Sequence, residues 1–311
     1  MRHHVRVSAD TPEATTPEID TLLFAQHGWA DTNQAMLRFG QEIAGPGDLV
    51  IAPNLGYVRT WLRIEPLIAT VEAAVSDAMR AHPHANIRAI GHSMGGLIWV
   101  ELLTRHPEWQ ARTDRLALIG CPVGGAELAG ILDPLGLTIG RDLRVDRRAR
   151  AEAIASTVPT ITIVGDLLGQ HDGTVSHTSA RLANARFVLT PSASHAALRN
   201  SRTVAQLVRA FFEQPDPPAV DHEALAARLQ ALPGILAAEP GLMLVAKVTM
   251  MLADGTTIRT LSPMPGLELL FLADGEGICR FAGAVPWTAK AAAQQALSEI
   301  RHEHQQLMLS V

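Results

Sequence analysis

Short apolar runs alternate with longer amphipathic segments through the first two-thirds of the chain. The runs are rich in Ile, Val, Leu or Phe and end in Gly, Pro or a polar residue; they occupy residues 21–26, 48–53, 86–91, 115–120, 160–165 and 186–191. Runs that stay apolar on both faces are typical of parallel strands covered by helices. The segments between them carry apolar residues at helical spacing, at 61–80, 95–106 and 200–213. The pattern predicts a parallel α/β sheet with helical crossovers.

The pattern changes after residue 214. Three prolines within residues 213–221 indicate an interdomain linker. Beyond it we predict a helix at 222–232, strands at 242–252, 256–261, 268–273 and 277–282, and a helix at 287–304. Leu-Ala-Asp-Gly occurs at 252–255 and at 272–275, so Asp254 and Asp274 are interpreted as hairpin-turn residues. We expect a polar N-terminal arm at 1–20, a domain at 21–214 and a small α+β domain at 215–311.

The predicted strand at 242–252 has apolar residues at every even position and a mixed set at the odd ones. Its period of two predicts one fully apolar face. The helix at 287–304 offers only a narrow, alanine-rich stripe to cover the sheet. We therefore expect this domain to be an interaction module that mediates homodimerisation. The alternative is a cover that packs on the larger domain of its own chain.

Charge and cysteine content exclude several classes of protein. The 311 residues contain 26 Lys and Arg against 31 Asp and Glu, a net charge of −5, which does not favour nucleic-acid binding. Two cysteines, Cys121 and Cys279, are too few for a disulfide framework and are interpreted as reduced thiols. The sequence has neither a signal-peptide pattern nor an apolar run long enough to span a bilayer. We expect a cytoplasmic protein with no transmembrane segment.

One serine lies between glycines where a predicted strand meets a predicted helix. Gly91, Ser93 and Gly95 form a Gly-x-Ser-x-Gly turn between the strand at 86–91 and the helix at 95–106. Such a sharp turn exposes the hydroxyl above the sheet and aims the helix N-terminus at the same point. A Cβ at either glycine would crowd the turn. Ser93 is the candidate nucleophile, and a purely structural turn is the alternative.

The sequence "GHSMGG" at 91–96, preceded by "QHGW" at 26–29 and followed by a late Asp and His, resembles the α/β-hydrolase superfamily, most of all its lipases and esterases. The resemblance covers residues 20 to 213. It implies a parallel-sheet core with a minimal cap and the chain order Ser, acid, His. His195, after the last predicted parallel strand, is the implied base.

The resemblance also implies the remaining parts of the site. Asp172 fits the spacing Gly169-x-x-Asp172-x-x-Val175 as the orienting acid, but about four extra residues precede it, so Asp166 stays an alternative. The implied oxyanion donors are the backbone amides of Met94 and Trp29, with Gly28 allowing close approach. We expect His27 to brace this loop and His92 to pack under the turn.

These residues imply a serine hydrolase that cleaves a carboxylic ester of a small molecule or lipid through an acyl-enzyme, with no metal and no cofactor. A thioesterase, amidase or acyltransferase would use the same triad. A non-catalytic hydrolase-fold scaffold is the alternative of another class. The arginine-rich stretch 141–150 is interpreted as a solvated cap helix; its contact with anionic lipid headgroups or an acidic substrate, with Arg147 and Arg148 as the residues to test, is the alternative.

Overall fold

A parallel sheet forms the centre of the larger domain. The computed structural model describes residues 19–126, 138–167, 169–218 and 220–310, so the predicted arm lies outside it except for Ile19 and Asp20. The strands are β1 (Thr21–Gln26), β2 (Asp48–Ile51), β3 (Asn86–His92), β4 (Thr113–Ile119), β5 (Thr160–Asp166) and β6 (Arg186–Pro191). Their order is β2-β1-β3-β4-β5-β6, and every pair is parallel. The predicted parallel sheet is confirmed.

Helices cover both faces of this sheet. They are α1 (Asn33–Ile43), α2 (Glu65–Ala81), α3 (Met94–Arg105), α4 (Pro107–Gln110), α5 (Ile139–Leu143), α6 (Arg148–Ala155), α7 (His177–Ala180), α8 (His195–Leu198) and α9 (Arg202–Glu213). In β1, Leu22 and Phe24 face a core shared with α2 and α3. Leu23 and Ala25 face a second core shared with α1 and α9. The strands are therefore apolar at consecutive positions because neither face meets water.

The arginine-rich stretch forms two short helices, α5 and α6, rather than one exposed helix. Arg147 is buried, donates from Nε to Glu101 Oε1 at 2.6 Å and donates from Nη1 to the Asp142 carbonyl. Arg148 donates to the backbone carbonyls of Thr178 and Arg181. The prediction that Arg147 faces solvent or lipid headgroups is wrong, because its buried guanidinium is held by these partners. Arg148 is half-buried.

An antiparallel sheet forms the smaller domain, as predicted. Helix α10 (His222–Gln230) comes before the first of its six strands, and helix α11 (Lys290–Glu303) lies between the fifth and the sixth. The strands are β7 (Leu236–Ala237), β8 (Lys247–Leu252), β9 (Thr257–Met264), β10 (Leu267–Ala273), β11 (Cys279–Pro286) and β12 (Met308–Leu309). Their order is β12-β8-β9-β10-β11-β7. Asp254 and Asp274 accept backbone N–H groups within their turns, which confirms both as turn residues.

The predicted strand at 242–252 is wrong in its first half. Pro240–Val245 is a 3₁₀ helix, and only Lys247–Leu252 is a strand. Pro240 provides no backbone N–H for a sheet ladder and favours the start of a turn. Leu242 and Leu244 are consequently exposed, whereas Met243 is buried. The apolar alternation in this segment therefore does not correspond to one face of a strand.

The smaller domain packs on the larger domain of its own chain. Met251 of β8 and Leu309 of β12 belong to the same buried cluster as Val188 of β6 and Phe211 of α9. The Leu189 amide of β6 donates to the Gly275 carbonyl of a Leu-Ala-Asp-Gly turn at 2.9 Å. The alternative of a cover on its own chain is confirmed, and homodimerisation stays a prediction.

Two smaller findings concern cysteines and membrane helices. Cys121 and Cys279 are not bridged, as the sequence analysis expected. Among the described residues, no helix combines the length and the apolarity that crossing a bilayer requires.

Candidate active site

Ser93 lies on a strained turn between β3 and α3. Its backbone adopts φ 56° and ψ −125°, a left-handed region that non-glycine residues rarely occupy. The Ser93 amide donates to the Ile119 carbonyl at the end of β4 at 2.8 Å, which ties the turn to the sheet. This is the strand-to-helix geometry that the Gly-x-Ser-x-Gly spacing predicts.

The glycines around Ser93 allow backbone segments to touch. A Cβ on Gly91 would lie 2.3 Å from Gly96 N, and one on Gly95 would lie 2.4 Å from the Gln26 carbonyl oxygen. Both distances are far below van der Waals contact. Only glycine therefore lets α3 start this close to β3 and to the end of β1, as the sequence predicts for both positions.

His195 is held by Asp172. The Nδ1–H group of His195 donates to Asp172 Oδ2 at 2.7 Å, which leaves Nε2 of the neutral ring as an acceptor. The His195 amide also donates to the Asp172 carbonyl at 2.8 Å. The other carboxylate oxygen of Asp172 accepts the amides of Thr174 and Val175, and its side chain is fully buried. These backbone contacts hold the Asp172 carboxylate in place independently of its hydrogen bond to His195.

Asp166, the alternative acid, points elsewhere. Its Oδ1 accepts the Gly169 amide at 2.8 Å and lies 3.6 Å from His177 Nε2. The Leu167 amide donates to the His171 carbonyl, so the residues that separate β5 from Asp172 fold back on themselves. Asp166 caps this short loop, and the loop returns Asp172 to the sheet edge.

The loop after β1 lies against the start of α3. A Cβ on Gly28 would be 2.9 Å from Ser93 Cβ and 3.1 Å from Met94 N. The backbone amides of Met94 and Trp29, the predicted oxyanion donors, therefore lie in touching segments. Neither amide donates to an acceptor among the described residues. Two backbone donors beside a serine are what an oxyanion site requires, so this role stays a prediction.

His27 braces this loop from below. Its ring Nδ1–H donates to the Gly28 carbonyl, and its Nε2 accepts the Leu55 amide, both at 3.0 Å. This pair of contacts requires the neutral ring with the proton on Nδ1. Burial lowers the pKa of His27, in agreement with a neutral imidazole. The bracing that the sequence predicts is confirmed.

One cavity brings these groups together. It has a volume of about 240 Å³, and Trp29, His92, Ser93 and His195 are in its wall. The other residues of its wall follow several different strands of the larger domain: Ala30, Asp31, Pro122, Ala126, Leu143, Thr174, Val175, Ala196 and Arg199. The predicted nucleophile and the predicted base thus open onto the same space.

Three features of this site were not predicted from the sequence. The first is the contact of the buried His92 with His195: the two rings lie 4.8 Å apart, and His92 Nε2–H donates to the His195 carbonyl at 3.0 Å. Burial, and then the neighbouring His195, keep the pKa of His92 well below its usual range. Its position directly before Ser93 was the available signal.

The second missed feature is Gly120, which follows β4. Its φ is +55°, and a Cβ there would lie 3.0 Å from His195 Nδ1 and 3.2 Å from Asp172 Oδ2. The third is an ion pair between Arg199 Nε and Asp31 Oδ2 at 2.9 Å, which joins the loop after β1 to the segment after His195. The position of Gly120 at the end of an apolar run was a signal for it. The Arg199–Asp31 pair left no signal, because its partners are distant in sequence.

Comparison with known proteins returns matches in structure. No protein-family model matches the sequence, and no curated protein matches it. The mature form of lipase BlEst2 from Bacillus licheniformis is 16% identical over 65% of this chain and 94% of that chain, with a TM-score of 0.48. Est1E from Butyrivibrio proteoclasticus is 16% identical over 65% and 89%, with a TM-score of 0.47. Phospholipase PlaB from Legionella pneumophila is 12% identical over 62% and 59%, with a TM-score of 0.46.

Proposed function

We propose that this protein is a serine hydrolase that cleaves carboxylic esters through an acyl-enzyme intermediate. The observation that carries the proposal is the shared cavity: Ser93 on its strained turn and His195 on its Asp172 hydrogen bond open onto the same space. A serine becomes nucleophilic when a positioned imidazole removes its proton, and an acid fixes the ring that does so.

In the proposed reaction, Nε2 of His195 accepts the Ser93 proton while Oγ attacks the ester carbonyl. Asp172 keeps the proton of the neutral ring on Nδ1 and stabilises the imidazolium that forms. The imidazolium then gives its proton to the departing alcohol, which leaves an acyl group on Ser93. His195 next removes a proton from water, and hydrolysis of the acyl-enzyme releases the carboxylic acid.

The amides of Met94 and Trp29 would stabilise the oxyanion of each tetrahedral intermediate. Their contribution depends on being aimed before the reaction, because fixed dipoles need no reorganisation in the transition state. The contacts of His27 with Gly28 and Leu55 hold one of the two donors in place. Gly28 provides the close approach to Met94.

The character of the cavity favours a substrate with an apolar acyl or alkyl part. Trp29, Leu143 and Val175 contribute apolar walls that suit an acyl or alkyl group. A thioesterase, an amidase or an acyltransferase would use the same groups and differs only in the leaving group or the acceptor. A scaffold that had lost catalysis would not require the close fit around His195 and Asp172.

The test is labelling by a fluorophosphonate, which reacts with an activated serine. We expect the wild-type protein to be labelled and Ser93→Ala not to be. A panel of p-nitrophenyl esters of increasing acyl length, run beside matched thioesters and anilides, then separates the ester, thioester and amide alternatives. An unlabelled wild-type protein that turns over none of these substrates would favour the scaffold.

A further inference from the structure

The larger domain exposes large apolar side chains in one place. In the described part of residues 19–218, such side chains belong to Tyr57, Val58, Trp61, Leu62 and Val145. Val58 is 73% exposed and Leu62 57%, values that a water-facing surface does not favour for branched aliphatic residues. We call these five residues the apolar rim. The other exposed large apolar side chains among the described residues lie in the smaller domain.

Two separate segments form the apolar rim, and specific contacts join them. Arg63 donates from Nε and Nη2 to the two oxygens of Asp142, at 2.8 and 2.9 Å. The Ile64 amide donates to Asp142 Oδ2 at 2.8 Å. Asp142 is buried, so a bidentate pair and a backbone bond fix residues 57–64 against α5.

The apolar rim lies next to the candidate active site. The ring of Trp61 meets the ring of Trp29 edge-on at 4.6 Å, and Trp29 lines the cavity that contains Ser93. On the other segment, Leu143 lines the same cavity, and Val145 follows two residues later. A surface that covered the rim would therefore lie beside the cavity.

The charges around the apolar rim are predominantly positive. Residues 57–63 contain no acidic residue, and because the charge of Arg63 is offset by Asp142, Arg59 is the basic residue that this segment adds. Arg144 is exposed on the second segment, where Asp142 is buried and paired and Asp146 is the exposed acid. This local excess occurs in a chain whose net charge is −5. Exposed apolar side chains flanked by arginines match the chemistry of an anionic lipid surface.

We propose that the apolar rim docks the protein on a membrane or lipid aggregate that carries anionic headgroups. Tyr57, Val58 and Leu62 enter the apolar boundary, and Arg59 and Arg144 bind the headgroups. That the docked lipids supply the ester to Ser93 rests on the proposed function; the docking itself does not. A second copy of this chain is the competing occupant.

The experiment measures binding of the Ser93→Ala protein to vesicles, so that hydrolysis cannot alter the lipid. One set of vesicles is phosphatidylcholine and the other contains phosphatidylglycerol in addition. We expect binding to the anionic set, weakened by salt because the arginine contribution is screened. Replacing Arg59 and Arg144 by Gln together should weaken it roughly 30-fold, at the usual contribution of a basic residue near an anionic surface.

The apolar contribution has its own variants and controls. The double change Val58→Ser and Leu62→Ser should weaken binding roughly tenfold or more, because it removes the free energy that the two apolar side chains gain on transfer from water into the lipid. Leu236→Ser with Ile278→Ser removes exposed apolar groups of the smaller domain, and Arg80→Gln with Arg301→Gln removes exposed arginines elsewhere. Both control pairs should bind as the parent protein does.

The same substitutions are also made in the protein that retains Ser93. Hydrolysis of p-nitrophenyl acetate, a soluble ester, by these variants reports whether they fold. We expect it to be unchanged, because Val58, Leu62, Arg59 and Arg144 do not line the cavity. No binding to anionic vesicles, or equal weakening by the control pairs, would overturn the docking proposal. So would a dimer that only the Val58 and Leu62 variant dissociates. Vesicle binding without fluorophosphonate labelling would overturn the proposed activity alone.

Discussion

Asp172 holds His195 at two points, through its side chain and through its backbone. Its Oδ2 accepts the ring Nδ1–H at 2.7 Å, and its carbonyl accepts the His195 amide at 2.8 Å. The second contact fixes the backbone from which the imidazole projects. Ring orientation therefore depends on the position of the whole acid loop and not on the carboxylate alone.

Replacing Asp172 by Asn should lower kcat by about 10⁴-fold, because the amide stabilises the wrong imidazole tautomer. The matched variant is Asp166→Asn, which removes the alternative carboxylate while leaving the His195 contact intact. We expect near-wild-type kcat for that control. Steady-state kinetics on a p-nitrophenyl ester measure both, and a severe loss in Asp166→Asn alone would transfer the role to Asp166.

Replacing Ser93 by Ala should abolish ester hydrolysis, with a loss of about 10⁴–10⁶-fold in kcat. The fold should remain, since alanine needs the same backbone conformation and no larger space. Ser192 is a matched control because it also has a positive φ, 57°, and is exposed. Ser192→Ala should keep its activity; near-wild-type turnover by Ser93→Ala would contradict the proposed nucleophile.

Replacing Gly120 by Ala should reduce kcat roughly 10²-fold, the effect of displacing a catalytic group by about an ångström. The added methyl would press on His195 and on Asp172 Oδ2. Gly266→Ala is the control, because Gly266 has a similar φ of +81° and nothing within 4 Å of an added Cβ. Both variants carry the backbone strain of about 1–3 kcal/mol. Equal kcat in the two would show that strain alone matters.

The free energy of unfolding should fall as the pH falls below about 7.5, and the fall should continue until the pH reaches the lowered pKa values of the folded protein. Burial lowers the pKa of His27 and His92 in the folded protein, and the unfolded chain protonates both near 6.5. Below that pH the unfolded state binds more protons than the folded state. The stability contributed by these two rings is therefore present above pH 6.5 and lost on acidification.

His106 contributes with the opposite sign, which makes a difference measurement necessary. Its ring is partly buried, which opposes the charge, but hydrogen bonds to Glu72 and Glu108 raise its pKa. We expect His92→Gln to reduce the pH dependence of the denaturant midpoint, with His84→Gln, at an exposed position, as the control. An unaltered slope in His92→Gln would contradict a neutral His92 in the folded state.

The smaller domain should self-associate, as predicted from its sequence, and Trp287 is the side chain to change, because it is 76% exposed. Sedimentation of the full chain should give a dimer, and Trp287→Ser should shift it towards monomer. A monomeric wild-type chain would contradict the prediction.

Ending the chain at residue 214 would uncover Val188 and Phe211, so we expect the fragment to unfold at lower temperature than the full chain.

The parallel core could be predicted because its pattern is local. Each strand is apolar at consecutive positions, and each covering helix repeats apolar residues at its own period, so burial on both faces is visible in a few residues. The Gly-x-Ser-x-Gly turn is equally local, since the close contacts of Gly91 and Gly95 follow from the turn itself. For His195 and Asp172 the sequence offered only what its resemblance to a known family implies, through chain order for His195 and through the spacing from Gly169 to Val175 for Asp172.

Only the tertiary structure decided which groups meet. Asp172 reaches His195 because the residues after β5 fold back, with Asp166 capping that loop. Gly120, His92 and the Arg199–Asp31 pair act across strands that are distant in sequence, where no periodicity records contact. Charge predicts exposure for Arg147, but its guanidinium is buried and paired with Glu101. Segment 242–245 looked like a strand because alternation is also compatible with a 3₁₀ turn after Pro240, and only packing distinguishes the two.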